Sequence, residues 1–328
     1  MSRVADVAVL GAAGYAGAVA AALLHRHPHF ALRHVTARTD AGARLDAVHP
    51  RTRVPLRLEP PDAELVVDAA VVAYPHGAAA PVVAALLERG VRVVDLSADF
   101  RLHELATYEE WYGAHGAPAL NAEAVYGLPE LHREDIRGAR LVANPGCYPT
   151  AAILALAPLA REGLLADVVI DAKSGVSGAG REPSHTKHFV SVDETVTPYK
   201  VGAHRHTPEI EQELGGGDLR VTFTPHLVPL SHGELVSCYV RPTAPVDAAA
   251  LYRDAYAAEP WVEVVEGPPG MTEVRETNFC RISVHDDPRT GRLIVFATID
   301  NLYKGTSSQA VQNLNLMFGV DEGEGLPA

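Results

Sequence analysis

One cysteine of the chain lies in a turn that favours a reactive thiolate. Cys147 belongs to the segment Asn144–Thr150 (N-P-G-C-Y-P-T), between an apolar strand predicted over Arg140–Ala143 and a helix predicted to open at Pro149. Free N–H groups and the positive end of the helix dipole stabilise negative charge on sulfur. Such a thiolate can attack a carbonyl carbon, although the same turn would also suit an inert cysteine buried at a strand end.

A second group of chemically active side chains follows at His204–Glu209 (H-R-H-T-P-E), just before a predicted helix whose first residue is Pro208. Histidine is the usual proton shuttle near neutral pH, and Glu209 could orient an imidazole and raise its basicity. His204 or His206 is therefore a candidate acid/base. Two exposed histidines at a helix start are the alternative interpretation.

A glycine-rich turn near the start of the chain has the context of a dinucleotide site. Asp6–Leu10 is a predicted strand, Gly11–Gly17 (G-A-A-G-Y-A-G) is the turn, and an alanine-rich helix runs on to about His27. Glycines permit a tight turn and a close approach of the backbone to a pyrophosphate, which then lies at the helix N-terminus. The G-x-x-G-x-x-G spacing lacks the middle glycine of the usual fingerprint, so the turn alone is a weak signal.

The tip of the second predicted strand, Leu32–Ala37, indicates the type of cofactor. It carries no Asp or Glu for a ribose 2′-hydroxyl, and Arg38 is available for a 2′-phosphate. We therefore predict NADP(H) rather than NAD. A solvated loop charge is the alternative interpretation of Arg38.

Composition sets limits on the class of protein. The chain has 328 residues, 47% of them hydrophobic, which suits a two-domain globular enzyme. A net charge of −13 disfavours a nucleic-acid partner. No segment approaches the roughly 18 apolar residues of a membrane span. The three cysteines include no C-x-x-C pair, so we predict neither a disulfide framework nor a zinc site, and no metal is predicted. A catalytic thiol suits a reducing compartment, and we therefore expect a cytoplasmic location.

The order of predicted elements indicates an α/β protein with two domains. Strands over Leu65–Ala73 and Val91–Leu96 flank a helix over Ala78–Arg89, which is the pattern of a Rossmann-type parallel sheet. Strands then outnumber helices, which predicts a second, α+β mixed-sheet domain. Its predicted strands are Val168–Ala172, Arg220–Thr224, Glu234–Arg241, Arg281–Val284 and Leu293–Ile299, its helices are Pro208–Leu214 and Asp247–Ala257, and Gly305–Phe318 is a closing helix with Ser307 or Ser308 as its cap.

Seven segments, in order along nearly the whole chain, resemble the N-acetyl-gamma-glutamyl-phosphate reductase family of arginine biosynthesis. They are Gly11–Gly17, Asp95–Arg101, Tyr126–Glu130, Asn144–Thr150, His204–Ile210, Pro225–Pro229 and Asp300–Gly305. The resemblance implies an NADP-binding Rossmann domain over residues 1–147, a catalytic and oligomerisation domain over 148–300, and a helix in 301–328 that returns to the first domain. It also implies NADPH, a small acyl phosphate substrate reduced to a semialdehyde, and a homodimer or homotetramer.

The resemblance further implies roles for individual residues. Cys147 is similar to the family nucleophile, and His204, with Glu209 as partner, to its acid/base; His206 is the other candidate imidazole. Arg101 and Arg205 are implied anion clamps for substrate, because a guanidinium can form two parallel bonds to a phosphate or carboxylate. The implied cofactor contacts are Gly11, Gly14, Tyr15 and Gly17 of the glycine turn, Ser174, Gly175, Ser177 and Gly178 of a later loop, and Asn301.

Two departures from the family pattern concern substrate details. Ser231-His232 stands where a more basic residue is expected, and Arg281-Ile282-Ser283 replaces a more acidic version. Aspartate-semialdehyde dehydrogenase and the reductase of carrier-bound (LysW) aminoadipyl phosphate share the thiol and the cofactor, but the N-P-G-C-Y-P turn favours the arginine enzyme. A Cys-His acyl hydrolase and a dinucleotide-sensing regulatory protein are the alternatives from other classes.

Overall fold

The computed structural model describes residues 3–328, which divide into two compact units. Unit 1 comprises residues 3–146 and 306–327, and unit 2 comprises Cys147–Gly305. Unit 1 is therefore discontinuous in sequence. Each unit is built around its own seven-stranded sheet.

The sheet of unit 1 is parallel throughout. Its strands run in the spatial order β3-β2-β1-β4-β5-β7-β6, with the chain reversing its direction of winding between β1 and β4. The central strands are apolar and buried on both faces, as expected where helices cover both sides. The strands are β1 (Ala5–Leu10), β2 (Phe30–Thr36), β3 (Leu58–Glu59), β4 (Ala69–Val72), β5 (Arg92–Asp95), β6 (Val125–Tyr126) and β7 (Leu141–Ala143).

Six helices belong to unit 1, and the last of them comes from the end of the chain. They are α1 (Tyr15–Arg26), α2 (Leu45–Val48), α3 (Ala80–Glu88), α4 (Leu105–Tyr112), α5 (Pro129–Gly138) and α10 (Ser308–Met317). Helix α10 packs against α1 and α5. The predicted cap is wrong: the Ser307 side chain makes no cap bond and instead donates to the Ala16 carbonyl at 2.8 Å. A π-helical turn, Tyr303–Ser307, immediately precedes α10.

Unit 2 has a mixed sheet in the order β12-β13-β14-β11-β8-β10-β9. Strands β8 and β10 are parallel, whereas β11 is antiparallel to both β8 and β14. The strands are β8 (Leu165–Gly175), β9 (Thr197–Pro198), β10 (Val221–Val228), β11 (Glu234–Pro242), β12 (Val262–Val264), β13 (Cys280–Asp287) and β14 (Arg292–Ile299), and the helices are α6 (Cys147–Arg161), α7 (Phe189–Val192), α8 (Thr207–Gly215) and α9 (Ala248–Tyr256).

Helix α6 is the core helix of unit 2. All its residues from Tyr148 to Leu159 are buried, and it packs against β11, β14 and α8. A helix that is apolar all round must be covered on every side, which fixes its first turn against the sheet. The predicted α/β class, with a Rossmann-type parallel sheet and a second mixed sheet, is confirmed. Within residues 3–328, no helix has both the length and the apolar character needed to cross a membrane.

Candidate active site

Cys147 is the first residue of α6, two positions before the predicted helix start at Pro149. It is half-buried, whereas Cys238 and Cys280 are fully buried. The helix dipole of this long helix therefore ends at the Cys147 thiol and favours its ionised form. Burial raises the pKa of the Cys238 thiol far above its usual value, so that sulfur stays protonated.

The Cys147 side chain rests against a glycine from the other end of unit 2. A Cβ added at Gly305 would lie 2.8 Å from the Cβ and 3.2 Å from the Cα of Cys147. This separation is well below an ordinary carbon–carbon contact of about 3.5 to 4.0 Å. Only glycine allows the two segments to approach this closely without displacement.

The two predicted imidazoles come together beside the residue that follows the cysteine. The ring of Tyr148 lies edge-on to His204 and His206, with ring centroids 5.7 and 5.9 Å away. The two imidazoles are 4.7 Å apart, and Tyr199 packs against His204 at 5.5 Å. Burial raises the pKa of both Tyr148 and Tyr199, so these phenols remain neutral at physiological pH.

A backbone contact fixes the tautomer of His204. The backbone N–H of His206 donates to Nδ1 of His204 at 3.2 Å, and His204 is buried. Because an amide N–H can only donate, Nδ1 must accept, and the neutral ring carries its proton on Nε2. Glu209, its predicted partner, is buried in the first turn of α8, and its role stays a prediction.

The predicted anion clamps differ in their surroundings. Arg205 is exposed between the two histidines. The pKa of Lys200 is lowered mainly by the burial of that lysine and, to a smaller extent, by the positive charge of Arg205. Two cations therefore lie near each other at this edge of unit 2, and Lys200 was not predicted. Arg101 belongs to unit 1 and is buried, and its guanidinium donates to the carbonyls of Leu96 and Asn144, both at 2.8 Å. These bonds support the ends of strands β5 and β7.

The predicted loop at 174–178 is built into the framework of unit 2. Asn301 joins it to the segment before β11, since its Nδ2 donates to the Ser177 hydroxyl at 3.1 Å and its Oδ1 accepts from the Gly233 N–H at 2.8 Å. A Cβ at Gly175 would lie 2.7 Å from the Cα of His232, and one at Gly178 would lie 3.1 Å from the hydroxyl of Ser174. These glycines and Asn301 thus bring two backbone segments together.

The glycine turn of unit 1 has the backbone geometry that its sequence predicts. Gly11 has a φ of +84°, and a Cβ there would lie 2.5 Å from the Ala73 carbonyl oxygen. A Cβ at Gly17 would clash with the Gly11 carbonyl, so this glycine lets α1 pack onto the turn. Gly14 is the N-cap residue of α1, and Tyr15 begins the helix. The side chain of His49 also reaches this turn, where its Nε2 lies 2.8 Å from the Ala13 carbonyl oxygen and its ring packs edge-on to Tyr15.

Arg38 is exposed directly beyond strand β2. Between residues 3 and 328 it has no hydrogen bond or ion pair with another side chain. Strand β2 is the neighbour of β1 on the side where a dinucleotide places its adenosine ribose. The Arg38 guanidinium is therefore available to bind an anionic ligand at this edge of unit 1.

One carboxyl group near the nucleophile was missed from the sequence. Glu234 is fully buried at the start of β11, and burial raises its pKa to about 8, while the nearby Cys147 thiol and Ser174 hydroxyl act in the opposite direction. The sequence offered only an acidic residue at the first position of a predicted strand, which does not by itself reveal burial. At one departure from the family pattern, Nδ1 of His232 pairs with the buried Asp300 at 2.6 Å. Among the described residues, no cluster of His, Cys, Asp and Glu could hold a metal ion.

Comparison with known proteins covers both units. The family description "Semialdehyde dehydrogenase, NAD binding domain" matches residues 6–139, and "Semialdehyde dehydrogenase, dimerisation domain" matches residues 147–301. Among solved structures, aspartate semialdehyde dehydrogenase II from Vibrio cholerae is similar in fold, with a TM-score of 0.73 at 18% identity over 95% of this chain and 98% of that one.

Curated relatives are much more similar in sequence. The N-acetyl-gamma-glutamyl-phosphate reductase of Desulforudis audaxviator is 51% identical, covering 98% of this chain and 97% of its own length. That of Syntrophobacter fumaroxidans is 50% identical, with the same coverage. The resemblance predicted from the seven segments is confirmed. The chain belongs to the N-acetyl-gamma-glutamyl-phosphate reductase family of semialdehyde dehydrogenases.

Proposed function

We propose that this chain reduces N-acetyl-L-glutamyl 5-phosphate to N-acetyl-L-glutamate 5-semialdehyde and phosphate, in arginine biosynthesis, with NADPH as the reductant. The observation that carries the proposal is the half-buried Cys147 at the start of α6, in a chain 51% identical to a reductase of this name. An aspartate semialdehyde dehydrogenase has the same fold at 18% sequence identity. This similarity supports the assignment of the fold and does not support aspartyl phosphate as the substrate of this chain.

The nucleophile and the acid act at different stages. The Cys147 thiolate attacks the acyl carbon and expels phosphate, which leaves a thioester and divides one difficult displacement into two easier steps. NADPH, when bound, supplies the hydride that reduces this thioester. His204 carries a proton on Nε2 and donates it to the oxygen as negative charge develops there. The thiohemiacetal then collapses, the electron pair returns to sulfur, and the aldehyde leaves.

Unit 1 provides the features that the dinucleotide needs. Gly11 and Gly17 let the turn pack tightly against Ala73 and against α1, which supports binding of a pyrophosphate at the N-terminus of α1, where Gly14 and Tyr15 begin the helix. Arg38 beyond β2 favours a 2′-phosphate, and hence NADPH over NADH, because a charge-assisted bond to a guanidinium is roughly twice as strong as a neutral one. Asn301 contacts the loop formed by Ser174, Gly175, Ser177 and Gly178. These contacts support a role of the loop and of Asn301 in positioning the cofactor rather than in recognising its chemical groups.

The substrate anions are assigned to cations of unit 2. Arg205 and the neighbouring Lys200 supply positive charge beside the imidazoles and suit the phosphate or the carboxylate. The buried bonds of Arg101 instead support a structural role for that residue. We also propose that the protein is a homodimer or homotetramer. The family description of residues 147–301 and the exposed Phe189 and Val190 support self-association through unit 2.

The reaction is tested with the acyl phosphate itself. NADPH oxidation with N-acetylglutamyl phosphate, and NADP reduction by the semialdehyde with phosphate, should both proceed, whereas aspartyl phosphate and carrier-bound aminoadipyl phosphate should be poor substrates. Phosphate release without NADPH oxidation would instead identify a hydrolase. Cys147→Ser should nearly abolish turnover, because a hydroxyl has almost no anionic fraction near neutral pH. The buried Cys280→Ala variant is the matched control, and a serine variant with about a tenth of the normal rate would exclude the covalent route.

A further inference from the structure

We propose that Glu234 is the proton acceptor of the Cys147 thiol, and that the two side chains share the single proton that remains once the pair has lost its first proton. The sequence analysis assigned no role to Glu234. The inference deepens the proposed function, since it concerns how the nucleophile of that reaction becomes ionised. It gives the thiol a base that is separate from the imidazole cluster.

The position of Glu234 follows from the sheet of unit 2. It is the first residue of β11, which lies between β8 and β14, and it pairs with Ser174 on one side and Ile299 on the other. Helix α6, whose first residue is Cys147, packs over β11 and β14. A Cβ added at Gly305 would meet both Cys147 and Ile299, and Ile299 is the cross-strand neighbour of Glu234, so the carboxyl group lies at the end of the sheet where the helix that carries the thiol begins.

The Glu234 carboxyl group is not held by hydrogen bonds to other parts of the protein that the structure describes. Glu234 is 0% exposed, and within residues 3–328 neither of its carboxyl oxygens has a protein hydrogen-bond partner at standard geometry. The groups close enough to stabilise its charge are the Cys147 thiol and the Ser174 hydroxyl. A buried polar group without a full set of partners is costly, which is typical of groups retained for chemistry.

The buried environment of Glu234 brings the pKa of its carboxyl group close to that of a thiol. Burial raises the pKa of Glu234 to about 8, with a further upward contribution from Asp300. An unperturbed thiol has a pKa of about 8.5, so proton transfer between the two is nearly balanced, whereas an ordinary carboxylate would disfavour it by about 10⁴-fold. Tyr148 and Tyr199 also face the pair, and since burial raises the pKa of both, they do not compete for this proton.

The step conserves charge and atoms. The proton moves from Sγ of Cys147 to a carboxylate oxygen of Glu234, which leaves a thiolate and a neutral carboxylic acid, and the pair keeps a single negative charge throughout. The thiolate electron pair then forms the bond to the acyl carbon. After the thiohemiacetal collapses, the proton can return to sulfur. His204 remains the donor to the substrate oxygen, so the two proton transfers use different residues.

The test measures the pH dependence of Cys147 ionisation in the absence of substrate and cofactor. Iodoacetamide alkylation of Cys147, followed by mass spectrometry from pH 5 to 10.5, reports the thiolate fraction. Two coupled acids lose their protons in two macroscopic steps. The wild-type rate should therefore rise to a plateau and rise again by about twofold to tenfold at higher pH. Glu234→Gln keeps the shape but cannot accept a proton, and it should give a single step.

Two further variants separate this carboxyl group from its neighbours. His204→Asn should keep the upper step, and Glu276→Gln, which removes another carboxyl group near His232, should keep both steps. A two-step profile that persists in Glu234→Gln, or a single step in the wild type, would refute the shared proton. The result is independent of the reductase assay, which tests the reaction and not the thiol.

A measurement on the native glutamate covers the case in which Glu234→Gln does not fold. Infrared titration follows the carboxylic-acid band of a buried glutamate. In the wild type this band should titrate in two steps, and in Cys147→Ser, where the partner cannot ionise in this range, it should titrate in one. An identical titration in both proteins would overturn the proposal.

Discussion

Replacing Gly305 with alanine should disable the nucleophile by displacing it. The new methyl group would lie 2.8 Å from the Cβ of Cys147 and 3.2 Å from its Cα. Because carbon atoms pack at about 3.5 to 4.0 Å, one of the two segments has to move by roughly 0.7 to 1.2 Å. The Cys147 backbone is the start of a long buried helix, and Gly305 lies in a π-helical turn, so neither side yields through a simple side-chain rotation.

The displacement converts into an expected rate. A misplacement of about 1 Å can lower an enzymatic rate by about 10²-fold, and overpacking of this kind lowers the free energy of unfolding by about 1 to 3 kcal/mol. We therefore expect kcat to fall by about 10²-fold with KM for NADPH little changed. The assays are NADPH oxidation with the acyl phosphate, the rate of Cys147 alkylation, and calorimetric unfolding.

Gly267→Ala is the matched control, because a Cβ there meets no atom within 4 Å. It should leave both the rate and the unfolding temperature close to those of the wild type. A Gly305→Ala protein with the wild-type kcat and alkylation rate would refute the reasoning, since it would mean that the contact relaxes without moving the thiol.

Three more predictions concern single side chains. His204→Asn should lower kcat by about 10² to 10⁴-fold and remove the titration near neutrality from the pH–rate profile; a larger loss in His206→Asn would exchange their roles. Arg38→Ala should weaken NADPH by about 1.5 to 3 kcal/mol with little effect on NADH, measured as KM for each; equal losses would exclude this arginine. Asp95 is fully buried with a pKa raised by burial to about 7, so it keeps its proton in the folded state where the unfolded chain has lost it. The free energy of unfolding should therefore fall between pH 4 and pH 7 by about 1.4 kcal/mol per pH unit more in the wild type than in Asp95→Asn; parallel denaturation curves would contradict this.

The sequence predicts elements best where burial imposes a regular pattern. The strand predicted over Glu234–Arg241 is β11 (Glu234–Pro242), and that over Leu293–Ile299 is β14 (Arg292–Ile299). The run predicted over Leu65–Ala73 contains the much shorter β4 (Ala69–Val72), because apolar residues beyond a strand can be buried without pairing. The two-residue strand β9 has no periodicity of its own and exists only through its pairing with β10.

The candidate site is predictable only in part, for a similar reason. Cys147 and His204 occur in short motifs whose chemistry is local, and so they can be identified from residue types alone. The importance of Glu234 depends on burial between β8 and β14, which are supplied by distant parts of the chain. No local pattern reveals that an acidic residue at a strand start is enclosed. The interior bonds of Arg101 are hidden in the same way, since an arginine after an apolar strand also suits a ligand.

The division of the chain has a consequence for synthesis on the ribosome. Unit 2 is nested within unit 1, and its two ends, Cys147 and Gly305, touch each other, which is the arrangement an inserted domain requires. All strands of unit 2 are synthesised before α10, which packs against α1 and α5 of unit 1. Unit 2 is therefore encoded without interruption, whereas unit 1 needs the segment from residue 306 onward to complete its packing. A ribosome that stops short of residue 306 would release a chain with its nucleophile assembled and its nucleotide fold incomplete.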